Sequence, residues 1–182
     1  MYNLDLPESE EFAPDVVNTL KNSPLHSAIR ALLYSNNSKN TETFFRTFLD
    51  STLIVLTNEA PISPENTILN YDEEGYVHYC KDTQVPLVQL NADIGTLVLP
   101  VFTESKYVHK VKGLNEFNGL AVSAPNLLEM SLIAQSSAIC INPGNPEFLM
   151  LDRGLIEELV EDLKRTQKLP KEDLMTFHGH NI

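Results

Sequence analysis

The stretch Gly95-Thr-Leu-Val-Leu-Pro-Val-Phe-Thr103 decides the fold, because here alone apolar residues run almost unbroken up to a polar helix-start signal. Read as a strand, it has two alternating sets, Leu97/Leu99/Val101 and Val98/Pro100/Phe102, and both are apolar. A strand with two apolar faces belongs in a sheet covered on both sides, so this is the expected central element. Pro100 pulls the other way, since it has no N–H for a ladder and favours an edge, a bulge or a strand end. A bulge near the strand's exit reconciles the two signals.

Upstream, Val85–Leu90 reads as a second strand and Asn91–Gly95 as a turn, which makes an antiparallel hairpin with the central strand. Downstream, Thr103-Glu-Ser-Lys opens a helix, with Thr103 as its N-cap, Glu104 near the favourable end of the dipole, and Tyr107, Val108 and Val111 on its apolar side. Asn118–Ser123 is a short strand. Ala124-Pro125 then starts a helix through Leu127, Leu128, Ser131 and Leu132, and Ala138–Ile141 is a strand ended by Asn142-Pro-Gly144. Phe148–Leu151 reads as an edge strand. Asp152 caps a last helix with the stripe Leu155, Ile156, Leu159, Val160 and Leu163, whose outer face, Glu157, Glu158, Glu161 and Asp162, is a solvated one.

Towards the N-terminus, Leu53–Leu56 is a buried strand, preceded by two amphipathic helices. The first starts at Ser23-Pro24 and carries Leu25, Ala28, Ile29, Leu32 and Leu33; the second follows Asn40 with Phe44, Phe45, Phe48 and Leu49. Together they read as an αα-hairpin. Residues 1–23, with Asp5, Glu8, Glu10, Glu11 and Asp15, form an acidic arm. Asn58–Tyr79 is a loop with a weak strand at Tyr76–Cys80, and 166–182 is an aperiodic tail. The expected fold is therefore α+β: one domain over 24–165, with a mixed sheet of about five strands packed with helices and an N-terminal helical pair.

The chain has 182 residues and a net charge of -12, so phosphate backbones and anionic membrane surfaces repel it on average. No nucleic acid or membrane partner is expected. The N-terminal residues lack the basic and apolar regions of a secretory signal, and two cysteines are too few for a disulfide framework, which points to the cytoplasm.

Chemical candidates are sparse. His78 and Cys80 alternate along one possible strand and His178 and His180 flank a glycine, but there is no CxxC or HExxH and nothing in the sequence brings tail and loop together, so no metal is expected. Cys140 lies between Ile139 and Ile141 and reads as a small buried hydrophobe. Asn142-Pro-Gly-Asn-Pro146 offers backbone amides without charge and reads as a turn rather than a ligand loop. With neither GxxxxGK[ST] nor GxGxxG, no phosphate cradle or cofactor is expected.

Leu99-Pro-Val-Phe-Thr-Glu104, the strand Ala138–Ile141, Asn142-Pro-Gly144 and the closing helix from Asp152 stand in an order and spacing that resembles the SseB-like family, the bacterial family named for enhanced serine sensitivity. The resemblance covers roughly residues 25–165 and implies an α/β or α+β domain without an established enzymatic activity. Its motif positions here are Leu99, Pro100, Val101, Phe102, Thr103, Asn142, Pro143 and Gly144, and no catalytic role comes with them. The chain ends soon after its last helix, so a second domain carried by longer members is not expected.

The resulting expectation is a non-enzymatic protein-interaction module whose partner contacts fall at Pro100, Phe102, Thr103, Asn142, Pro143 and Gly144. The alternative is an acidic secretion chaperone or immunity-type partner that masks an apolar or basic segment of a cognate secreted protein.

Overall fold

A computed structural model describes residues 20–58, 77–80, 86–93, 95–114, 116–166 and 174–181. Most of the acidic arm, most of the 58–79 loop and part of the tail lie outside the described residues. In order, the elements are α1 (Ser23–Tyr34), α2 (Ser38–Leu49), β1 (Thr52–Thr57), β2 (Val77–Cys80), β3 (Leu90–Asp93), β4 (Thr96–Phe102), α3 (Ser105–Val108), β5 (Asn118–Ser123), α4 (Ala124–Ile133), β6 (Ala138–Ile141), β7 (Leu149–Asp152), α5 (Arg153–Arg165) and β8 (Leu174–Asn181).

The strands form one mixed sheet in the order β2-β8-β5-β1-β4-β6-β7, with β3 also paired to β4. Strand β1 is antiparallel to both neighbours, β4 and β5, whereas β4 and β6 run parallel. The α+β class, the mixed sheet and the helical pair are as expected; among the described residues the sheet has eight strands, more than the five or so expected. The tail accounts for one of the additions: Leu174–Asn181 lies between β2 and β5 as β8. Backbone pairing on both sides supplies its order, which its aperiodic side chains do not announce.

Strand β4 is central, with one face to each side of the sheet. Leu99 and Val101 join Leu53, Val55, Leu120 and Ile139 against helical residues such as Leu25, Phe44, Phe48, Leu127 and Ile156. On the opposite face Phe102 packs with Ile54, Leu56 and Ala121 under Val88, Val108 and Leu114, so the segment before β3 and the connection between β4 and β5 cover that side.

Pro100 is accommodated without a bulge. Leu97 and Val101 each accept a backbone hydrogen bond of 2.8 Å from the β6 side, from Ser137 and Asn142. Strand alternation then directs the nitrogen of Pro100 to the other side of β4. There, pairing with β3 ends at Val98 opposite Leu90, and pairing with β1 begins at Val101 opposite Val55. The residue that cannot donate occupies the gap between two partners, and the hairpin's register shift falls at Asn91/Asp93 instead. The hairpin itself is present, with its first strand later in sequence than expected: Leu87 makes only an isolated bridge to Thr57 before Leu90–Asp93 pairs.

Two asparagines divide the work at the α1–α2 junction. The Asn37 side chain caps α2 by accepting from the Asn40 backbone at 3.0 Å. The Asn40 amide donates to Ala31 O at 3.0 Å and Ser35 O at 2.7 Å, satisfying carbonyls at the end of α1. Asp152 caps α5 as expected, accepting from Leu155 N at 3.0 Å.

Burial along one face of β4 rises from its start towards its exit, which predicts a sharp contrast between two leucines of that face. Leu99→Ala, at a fully buried site, should cost about 2–5 kcal/mol in chemical denaturation. Leu97→Ala, where the side chain is 42% exposed, should cost less than about 1 kcal/mol.

Candidate functional site

Three segments meet where the parallel strands β4 and β6 end: the start of α1, the loop after Phe102 and the loop after Ile141. Carboxyl ends of parallel strands are where such sheets release chain into loops. Thr103, the first residue past β4, is fully buried. Its backbone N donates to Asn142 Oδ1 at 3.0 Å, and its hydroxyl accepts from Asn142 Nδ2 at 3.0 Å. The same hydroxyl lies 2.9 Å from His26 Nε2. Thr103 is therefore not the N-cap of α3; Glu104 holds that position and makes no side-chain cap bond. A buried hydroxyl needs buried partners, and these come from α1 and β6.

Asn22 completes the frame. It precedes α1, and in place of capping that helix it donates from Nδ2 to Thr103 O at 2.7 Å and Thr52 O at 2.9 Å. Asn142 takes a left-handed backbone (φ 52), a conformation asparagine tolerates better than most residues, and Gly144 follows at φ 74. Asn145 Nδ2 donates back to Asn142 O at 3.3 Å and Pro143 O at 3.2 Å, so Asn142–Asn145 is the turn expected from its composition. This turn lies against the preceding loop: a Cβ on Gly144 would stand 3.3 Å from Val111 Cγ2.

His26 is the group the sequence reading missed. It is 7% exposed, its Nε2 lies 3.1 Å from Glu104 Oε1, and its ring stacks at a tilt on Tyr107 with centroids 5.2 Å apart. A carboxylate only accepts, so the hydrogen-bond network assigns the imidazole proton to Nε2. Nδ1 has no hydrogen-bond partner among the described residues; Glu147 Oε2 stands 3.9 Å away. Both carboxylates are themselves compensated, Glu104 by Lys106 Nζ and Glu147 by Arg30 Nε, each at 2.6 Å. Burial lowers the pKa of His26 below 6.5; the pull of Glu104 in the other direction is outweighed, and Lys106 adds to the lowering. The hydrogen bond to Glu104 raises the Lys106 pKa and keeps that ammonium charged.

The nitrogen that faces the Thr103 hydroxyl also faces the carboxylate, and the hydroxyl is fully buried. This is not the geometry of a nucleophile, a base and an orienting acid. It is a pin that fastens α1 to the end of β4. The sequence held one signal for it: His26 borders the apolar stripe Leu25, Ala28, Ile29 of an amphipathic helix.

The expected contact residues therefore divide by depth. Pro100, Phe102, Thr103 and Asn142 are buried, and only Pro143 and Gly144 reach the surface. The structure also brings loop and tail together, contrary to expectation: β2 pairs with β8, placing His78 opposite Thr176 and Cys80 opposite Leu174. Strand β8 runs on to His178 and His180, opposite Ala121 and Gly119. Among residues whose side chains are described, no three His, Cys, Asp or Glu are grouped to hold a metal. Cys140 is buried, and that burial pushes its thiol pKa up.

Fold and site together define an α+β domain whose mixed sheet carries helices on one face and a loop layer on the other, with two strand ends tied by a buried polar frame. The chain belongs to the family described as SseB protein N-terminal domain, whose model matches residues 25–158. That span contains α1 from its buried Leu25, the loops of the frame and most of α5. No curated protein and no solved structure matches the chain.

Two outcomes follow from the frame. Asn142→Ala should destabilise by about 2–4 kcal/mol in chemical denaturation, because it removes buried partners and strains a left-handed backbone. Asn142→Gly should cost about 1 kcal/mol less, and equal losses would show that the backbone conformation contributes nothing.

As pH falls below 6.5, His26 protonates in the unfolded chain before it does in the fold, so its contribution, complete above 6.5, is lost through the lowered folded-state pKa. Thermal melts from neutral to mildly acidic pH should therefore fall more steeply for the natural chain than for His26→Gln. Identical slopes would remove His26 from that account.

Proposed function

We propose that this domain is a non-enzymatic protein-interaction module of the cytoplasm, and that its contact surface lies where the 105–114 loop abuts the 143–148 loop. The observation that carries this reading is the close approach of Gly144 to Val111, which makes the two loops one continuous surface. Half-exposed Phe148, its backbone N bonded to Asn145 O at 3.2 Å, belongs to the second loop, and exposed Lys106 and Lys110 over Tyr107 belong to the first. Buried Thr103 and Asn142 support the surface from beneath instead of touching the partner. Recognition residues on loops held by a rigid scaffold are the common arrangement in binding domains. The burial of the Thr103 hydroxyl beside His26 supports the absence of catalysis. The net charge of -12 disfavours nucleic acid, and no described helix is long and apolar enough to cross a membrane.

Affinity capture from native cells tests the reading. Phe148→Ser should abolish recovery of a specific protein, whereas Tyr34→Ser, at the far end of α1 and 92% exposed, should leave it unchanged. Retention by the first variant and loss with the second would place the surface elsewhere.

A further inference from the structure

The basic residues of this acidic chain are not evenly spread. Lys106, His109, Lys110 and Lys112 stand within seven residues, in a chain with 13 lysines and arginines against 25 acidic residues. Their outward direction is built into the packing. Val108 and Leu114 are buried against the sheet and Tyr107 and Val111 pack beside them, so the intervening positions 106, 109, 110 and 112 are all exposed. Lys106 and Lys110 are held over the same ring, with Nζ 5.0 and 4.9 Å from the Tyr107 centroid. That ring is in turn backed by His26. The result is a short row of lysine ammoniums, one of them, Lys106, paired with Glu104, on the surface assigned above to partner binding.

We propose that the Lys106–Lys112 strip recognises an acidic segment of the partner protein; this rests on the interaction reading of the same surface. Charge complementarity selects the chemistry. Over a Debye length of about 8–10 Å, a short carboxylate-bearing segment senses the strip, whereas a long polyanion also meets the negative remainder of the molecule. With Lys106 already paired to Glu104 at 2.6 Å, the strip can neutralise only about two phosphates, too few to hold nucleic acid firmly at physiological salt. A peptide with carboxylates on alternate residues of an extended backbone presents them all on one side, towards the strip.

Fluorescence anisotropy on the full chain tests this, using as probe a labelled peptide of about twelve residues alternating Glu and Ser. The matched Gln/Ser peptide and a single-stranded DNA of similar length serve as comparisons. The Glu peptide should bind at least about tenfold tighter than the Gln peptide, and weaken severalfold between about 50 and 200 mM salt. The pair Lys110→Glu with Lys112→Glu should lose that affinity at least tenfold. Lys39→Glu with Arg46→Glu, an equal charge change on exposed positions of α2, should alter it less than twofold. Melting temperatures of both variants establish that they fold. Equal losses in the two variants, no preference for Glu over Gln, or tighter binding of the DNA would overturn the proposal. If the acidic probe fails while Lys110→Glu with Lys112→Glu still captures the partner that Phe148→Ser loses, the partner chemistry is wrong and the interaction surface stands. If Phe148→Ser loses nothing, the surface itself is wrong.

Discussion

One buried carboxamide ties together the ends of two parallel strands. Where β4 and β6 stop pairing, the Thr103 N–H and hydroxyl would be left in a dry interior, and Asn142 answers both from a single side chain. Asn22 does the same for Thr103 O and Thr52 O, at the adjoining ends of the paired strands β4 and β1. A buried polar group without a partner costs about 1–3 kcal/mol, so this end of the sheet depends on two amides whose positions are set by different elements. Asn142, with its backbone turned left-handed as it leaves β6, places its side chain against the residue that leaves the neighbouring strand β4.

Outside the carboxamides the polarity rises by layers. His26 is buried and neutral, Glu104 and Glu147 are partly covered and ion-paired, and Lys106 and Arg30 are largely in water. The ordering is physically economical: each group is desolvated only as far as its partners compensate it. It also stiffens the loop from Thr103 to Leu114, which would otherwise rest on a four-residue helix without a side-chain cap. The loop is held from below by Val108 and Leu114, at its start by Thr103, and from the side by Gly144. A basic, aromatic surface thus stands on a support that is almost wholly uncharged.

Much of the architecture was legible in residue order. The two apolar faces of β4, the short strands Asn118–Ser123 and Ala138–Ile141, the Phe pairs of α2 and the stripe of α5 all follow from periodicity, since burial repeats every second residue in a strand and every three to four in a helix. The motif loops could also be ordered along the chain well enough to suggest the family. The site was only half legible. Thr103 and Asn142 drew attention, but their roles did not: one was read as a helix cap and the other as a plain turn residue. His26 and Asn22 sit in an ordinary helix start; His26 borders the apolar stripe, but nothing within a few residues names the partners either one takes.

The sequence by itself determined whatever is decided between near neighbours: the alternation that buries β4 on both sides, the Asp152 cap on Leu155 three residues on, and the left-handed turn at Asn-Pro-Gly. Only the tertiary structure decided which partner each ambiguous residue takes. Thr103 meets Asn142 39 residues away and His26 77 residues away, Pro100 faces a gap between two strands, and the tail finds its order between β2 and β5. The physical reason is range. Local pattern reports the burial a residue prefers, but the satisfaction of a buried polar atom depends on a group that folding, not sequence proximity, brings within 3 Å.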